Sequence, residues 1–123
     1  MSKARLLVVD DNPDDRDMMQ RRLSKLDYEV SVAADGVQAL EMIDAESFDL
    51  VMLDVTMPDI DGLEVLRRLR TTRSATELPV IMVTASLAMA TQVMAIQLGA
   101  NDYIIKPVII DIAEARIEKH LRG

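Results

Sequence analysis

Apolar residues along this chain come in short unbroken runs, separated by longer stretches in which they recur every third or fourth position. The runs occupy residues 6–9, 50–53, 80–83 and 103–105, with a weaker one at 30–33. They lack polar alternation, which is the pattern of strands buried on both faces of a parallel sheet. The stretches between them have helical length and spacing and predict helices over residues 13–26, 37–46, 63–70, 87–98 and 109–121. Turn chemistry agrees. Asn12 can cap a helix that begins at Pro13, and Gly99 suits the left-handed position that closes one. Five β-α units with no repeat, linker or low-complexity segment predict an α/β fold, a doubly wound five-stranded parallel sheet, in a single domain over residues 1–123.

One stretch imitates something else: residues 80–101 carry no charge and are long enough for a membrane span. Thr84, Ser86, Thr91, Gln92 and Gln97 interrupt it, and near Ala85 its composition changes from β-branched to helical. A strand followed by a helix is expected there, and no membrane. The 123 residues, 50% hydrophobic, suffice for one core. The absence of cysteine excludes disulfides, thiolate nucleophiles and sulfur-ligated zinc, and the N-terminus has no secretory pattern, so a cytoplasmic location is expected. A net charge of −7 repels nucleic-acid phosphates and anionic lipid, leaving cations and basic surfaces as the expected partners.

The candidate chemistry lies where the apolar runs stop. The first ends in Asp10 and Asp11, the third in Asp54, the fourth in Thr84 and the fifth in Lys106. In an open parallel sheet these ends meet at the ligand-binding crevice. Three carboxylates there repel one another unless a hard cation or a lysine neutralises them. Oxygen ligands without His or Cys favour magnesium, which also binds phosphoryl oxygens, and a hydroxyl and an ammonium add donors to the same anion. The set reads as a phosphoryl-transfer site. Asp14, Asp15 and Asp17 are expected to be first-turn acids favoured by the helix dipole. His120, in a charged terminal helix, is expected in solvent, and most of the nine methionines in the core.

Four segments carry a resemblance: VVDDNP, LVMLDVTMPDIDG, VIMVTA and GANDYIIKP, in that order and at the ends of the expected strands. With them the chain resembles the response-regulator receiver domain of two-component signalling over nearly its whole length. The resemblance implies the flavodoxin-like (βα)5 receiver fold, with Asp54 accepting a phosphoryl group from a phosphohistidine of a histidine kinase or histidine phosphotransfer protein. It implies Mg2+ bound by Asp11, Asp54 and the backbone carbonyl of Thr56, with Asp10 acting through water. Thr84 would bond a phosphoryl oxygen, Lys106 would pair with it ahead of a cis bond to Pro107, and Tyr103 would be the switch aromatic. Such a domain is mainly a switch that catalyses its own aspartyl phosphorylation and dephosphorylation. Val108 departs from the Phe that many receivers carry there, and Thr56 and Ser86 lie at positions that vary and affect how water reaches an acyl phosphate.

Other classes fit less well. An aspartyl-phosphate phosphatase of the haloacid-dehalogenase type needs a second Asp two residues after the nucleophile, where Thr56 stands. A flavodoxin-like electron carrier needs a hydroxyl- and glycine-rich phosphate loop and aromatics, against DDNPDD and 2% aromatics here. A receiver used only as a binding module would need none of the acid, hydroxyl and lysine set that is present. The fourth helix, LAMATQVMAIQL, carries no charge. With Val93 and Ile96 facing the core, Met89, Ala90, Met94 and Gln97 would form a neutral outward surface for a partner or a second copy, together with the fifth strand and fifth helix. No output domain is visible in the sequence.

Overall fold

Strands whose side chains are nearly all apolar need cover on both faces, and five of them obtain it between two layers of helices. The computed structural model describes residues 3–85 and 89–122. Its strands are β1 (Arg5–Val9), β2 (Glu29–Ala33), β3 (Leu50–Asp54), β4 (Val80–Thr84) and β5 (Asp102–Ile105). They alternate with helices α1 (Pro13–Ser24), α2 (Gly36–Ala45), α3 (Gly62–Leu69), α4 (Met89–Gln97) and α5 (Ile110–Leu121). All pairings are parallel, in the order β2-β1-β3-β4-β5. The predicted elements are all present. Leu87, where the fourth helix was expected to begin, and Ser86 lie outside the described residues.

Alternate strand residues feed two cores. Leu6, Val8, Leu50, Met52, Ile81 and Val83 meet Met19 and Leu23 of α1 and Ala113 and Ile117 of α5. Leu7, Val9, Val51, Leu53, Val80 and Met82 meet α2, α3 and α4 on the other face, through Ile43, Leu66 and Ala95 among others. Each fully buried Leu or Ile adds roughly 1.5–3 kcal/mol. The helix ends fall within two residues of the expected positions where they are described, and the two expected caps are built as anticipated. Asn12 accepts from the backbone N–H of Asp14 and Asp15, and Gly99, at φ 102°, lets its N–H reach the Ile96 carbonyl while Ala100 reaches that of Ala95.

The orientation of α4 differs from expectation. Val93 and Ile96 are 48% and 57% exposed, and the buried residue is Ala95. With Ala95 inward, Thr91, Gln92 and Leu98 share its side of the helix, and Ile96 is turned about 100° away. Nearly every position in MATQVMAIQ is apolar or neutral, so no stripe marks the inward face. Met89 is the most exposed of these side chains, at 77%.

The carboxyl end of α4 is held by a residue on α3's side of the molecule. Arg70 donates from Nε to the Gly99 carbonyl at 2.9 Å, from Nη1 to the carbonyls of Ser74 (3.1 Å) and Leu78 (2.8 Å), and from Nη2 to Asn101 Oδ1 at 2.9 Å. Asn101 Oδ1 also accepts from Val80 N–H at 2.9 Å, and its amide nitrogen donates to the Ala75 carbonyl at 3.0 Å. Burial lowers the Arg70 pKa from its ordinary value.

Candidate functional site

The chain leaves β1 for β2 on one side and returns to β3 on the other, so the crevice beyond the carboxyl ends of β1 and β3 is the place where topology opens the sheet. Register decides what meets there. Val9 lies beside Leu53 and Asp54 beside Val83, so Asp10, Asp54 and Thr84 follow one another across the rim. Thr84 lies beside Ile105, and the Lys106 N–H donates to the Thr84 carbonyl at 2.7 Å, which sets the lysine at the same rim.

Asp10, Asp54 and Thr84 are the buried polar residues of the described chain, at 4%, 5% and 1% exposure. Lys106 Nζ donates to Asp10 Oδ2 at 2.9 Å, to Asp15 Oδ2 at 3.0 Å and to Asp54 Oδ2 at 3.2 Å. Asp10 Oδ1 accepts from Asn12 N–H (2.9 Å), and Asp54 Oδ1 from Thr56 N–H (3.3 Å). Asp11, exposed on the loop, completes a group with Asp10 and Asp54 in which each residue offers an oxygen within 4.8 Å of the others. A side-chain hydrogen bond links Tyr103, half-buried on β5, to Thr84. The Lys106–Pro107 peptide is cis.

These neighbours separate the electrostatics of the two central groups. Burial raises the Asp54 carboxyl from 3.8 to about 6, against the Lys106 charge, and the Asp10 charge raises it further. Burial works the other way on Lys106, but hydrogen bonds to Asp10 and Asp15 and the charges of Asp10 and Asp54 outweigh it and raise the ammonium above its ordinary value. The lysine is closer to Asp10 than to Asp54, so it keeps its proton without fully relieving the buried Asp54 carboxyl. The three mutually close carboxylate oxygens of Asp10, Asp11 and Asp54, with no histidine or cysteine in the group, fit a hard divalent cation such as Mg2+.

Two acids and a histidine lie differently from the sequence reading. Asp15 is more than a first-turn acid, because the first turn of α1 rises directly over the rim and brings its carboxylate to Lys106. Its position five residues after Asp10, at the start of a helix that leaves a strand end, was the available signal. Asp17, expected in the first turn, stands beyond it and pairs with Arg21 four residues along α1, whereas Asp14 is an exposed first-turn acid as expected. His120 is not in solvent. Its side chain is 15% exposed and Nε2 lies 2.8 Å from Asp102 Oδ2, because α5 packs that face against the entrance of β5. Arg116 pairs with the same Asp102 and donates to the Tyr103 carbonyl. Arg16, unremarked in the sequence, donates to the Asp10 carbonyl at 2.9 Å.

Among the described residues no helix is long and apolar enough to cross a membrane. The response regulator receiver domain family profile matches residues 6–118. The chain is 43% identical over 118 residues to the response regulator MprA of Mycobacterium ulcerans, covering 96% of this chain and 50% of that protein. It is 42% identical over 122 residues to the probable transcriptional regulator ycf27 of Cyanophora paradoxa, covering 99% of this chain and again 50% of the relative. The chain therefore spans about half the length of these curated relatives. A CheY-like response regulator receiver domain protein from Methanospirillum hungatei superposes with a TM-score of 0.92 at 32% identity, covering 98% of this chain and 95% of that one. By family match, by relatives and by fold, the chain belongs to the response-regulator receiver domains of two-component signal transduction.

Proposed function

We propose that Asp54 accepts a phosphoryl group from a phosphohistidine of a histidine kinase or histidine phosphotransfer protein, inside the cell, and that the modification alters the surface formed by α4, β5 and α5. The observation that carries this reading is one buried carboxylate with a lysine 3.2 Å from it and two further carboxylates within 4.8 Å. Attack by an Asp54 oxygen forms the P–O bond as the P–N bond to the donor imidazole breaks, and the imidazole keeps the electron pair. Lys106, in contact with Asp54 Oδ2, is positioned to pair with the equatorial oxygens as charge builds on them. Magnesium, held by Asp11, Asp54 and the Thr56 carbonyl with Asp10 through water, would supply the remaining charge neutralisation. The Thr84 hydroxyl has one proton to donate, so a bond to a new phosphoryl oxygen changes its interaction with Tyr103.

With Mg2+ and acetyl phosphate, intact mass should show the gain of one phosphoryl group, mapped to the peptide containing Asp54. Asp11→Ala should raise the magnesium needed for half-maximal labelling by at least about ten-fold, since loss of a group that only supports a ligand already costs that much. Labelling that needs no divalent ion, or that maps elsewhere, would sink the reading.

The output surface rests on α4. Met89, Val93, Met94 and Ile96 are all exposed there, and Ile109 and Ile112 are exposed at the start of α5. So much exposed apolar area on an acidic protein marks a contact for a partner or a second copy. Met94→Glu should weaken that contact about ten-fold or more, read by sedimentation and partner pull-down. Its effect on folding stability should stay within about 0.5 kcal/mol, because the side chain is largely exposed. Unchanged association would remove this face from the output.

A further inference from the structure

A cleft of about 380 Å³ opens on the α1 and α5 side of the sheet, sharing Lys106 and Asp10 with the rim but not lined by Asp54. Met18 and Met19 of α1 form one wall, Met52 and Val83 the floor, and Pro107 and Val108 the other wall. Neither Asp54, Asp11 nor Thr84 lines it. Its volume lies in the range that holds small organic ligands, and a mostly apolar lining with a few convergent polar groups is the usual composition of such sites. Water gains few hydrogen bonds against these walls, so an apolar body displaces it favourably. The methionines, unbranched and polarizable, adapt to its shape.

The polar groups set the sign of the ligand. Asp10 and Asp15 line the cleft against the single charge of Lys106, so the lining is net negative. Asp10 is buried with both oxygens engaged, by Asn12 N–H and by Lys106. Asp15 is the reachable carboxylate, its side chain 41% exposed. We infer that this cleft binds a small organic cation, with an aryl or short alkyl body over the methionines and an ammonium or amidinium against Asp15. An anion of the same shape meets repulsion at the mouth. Because Asp15 also holds Lys106, occupancy is felt at the lysine. The binding site stands on the cleft alone, and only an effect on phosphoryl uptake rests on the function proposed above.

The test uses 4-phenylbutylamine, with 4-phenylbutan-1-ol and 4-phenylbutanoate as neutral and anionic counterparts, titrated into the whole chain with labelled methionine methyl groups. Saturable shifts are expected at Met18, Met19 and Met52, with Met89 and Met94 on α4 unmoved. The amine should bind about three- to five-fold tighter than the alcohol, as a partly exposed charge pair provides. The carboxylate should bind weakest. Asp15→Asn should erase the preference for the amine, and Val108→Phe should fill the cleft and abolish the shifts. Should Val108→Phe fail to fold, Asp15→Asn carries the test, since that side chain is on the rim. Shifts spread equally over the α4 methionines, or an affinity order unchanged by Asp15→Asn, would overturn the inference. So would methyl signals that ignore all three probes yet respond to a phosphotransfer protein, which would assign the cleft to a protein side chain.

Discussion

Asp54→Asn should abolish phosphoryl uptake and, without magnesium, leave the protein more stable than the wild type by about 1–3 kcal/mol at pH 7. The stability gain follows from the burial of the Asp54 carboxyl. Its pKa is about 6 in the fold against 3.8 for an ordinary aspartate, raised mainly by burial and then by Asp10. A raised pKa means that the folded state binds the proton more tightly than the unfolded chain does. The group's contribution to stability is therefore full below about pH 4 and is lost as pH rises through about 6. Each pKa unit corresponds to about 1.4 kcal/mol, and Lys106 and solvent at the rim keep the realised figure at or below the full difference. Asparagine does not titrate, so mutant and wild type should match near pH 4 and diverge through the window up to about 6. Denaturant titration at several pH values reads this, and saturating Mg2+ should shrink the gap. A mutant less stable than wild type at pH 7 would mean that Lys106 compensates the buried charge more fully than its distances indicate.

Gly62→Ala should cost about 3 kcal/mol or more, near the upper end for overpacking, and lower the melting temperature by roughly 10–15 °C. Gly62 is the first residue of α3, and its N–H donates to the Val55 carbonyl at 2.8 Å. A Cβ added there collides with the Asp54 carbonyl oxygen and comes within 2.9 Å of Val55 Cα. Both obstacles are backbone, and both belong to the strand end that carries Asp54, so relief requires moving the candidate site itself. Gly36→Ala is the control. There the obstacles are side-chain atoms, Val65 Cγ2 at 2.6 Å and Ile60 Cγ1 at 2.7 Å, and although the buried, β-branched Val65 yields little, no backbone has to move, so the cost should be smaller, about 2 kcal/mol. Equal melting temperatures for the two variants would show that the β3 end yields as readily as a side chain.

The strands β1, β3 and β4 were readable because they are buried on both faces, which leaves a run of apolar residues, whereas the edge strands β2 and β5 are only partly buried and gave shorter or weaker runs. The candidate site was readable because four of the five runs end in a residue of opposite character, and parallel register brings those ends together. What the sequence hid depends on rotation and reach. The inward face of α4 is marked by one alanine among equally apolar neighbours, so Val93 and Ile96 were given the wrong side. Asp15 looked like any acid in a first turn, since its bond to Lys106 spans 91 residues of sequence. His120 gave no sign of Asp102, 18 residues before it, until α5 folded back on β5.

Arg70 gives α4 a fulcrum. By gripping the carbonyl of Gly99, just past the carboxyl end, and the side chain of Asn101, it ties that end to the loop below β4. A tilt about this point has a lever arm of about 12 Å to Met89, at a rise of 1.5 Å per residue. About ten degrees of tilt thus sweeps Met89 through roughly 2 Å while Gln97 scarcely moves. On the function proposed above, a tilt of α4 would move its amino end most, and the most exposed methionine, Met89, stands at that end.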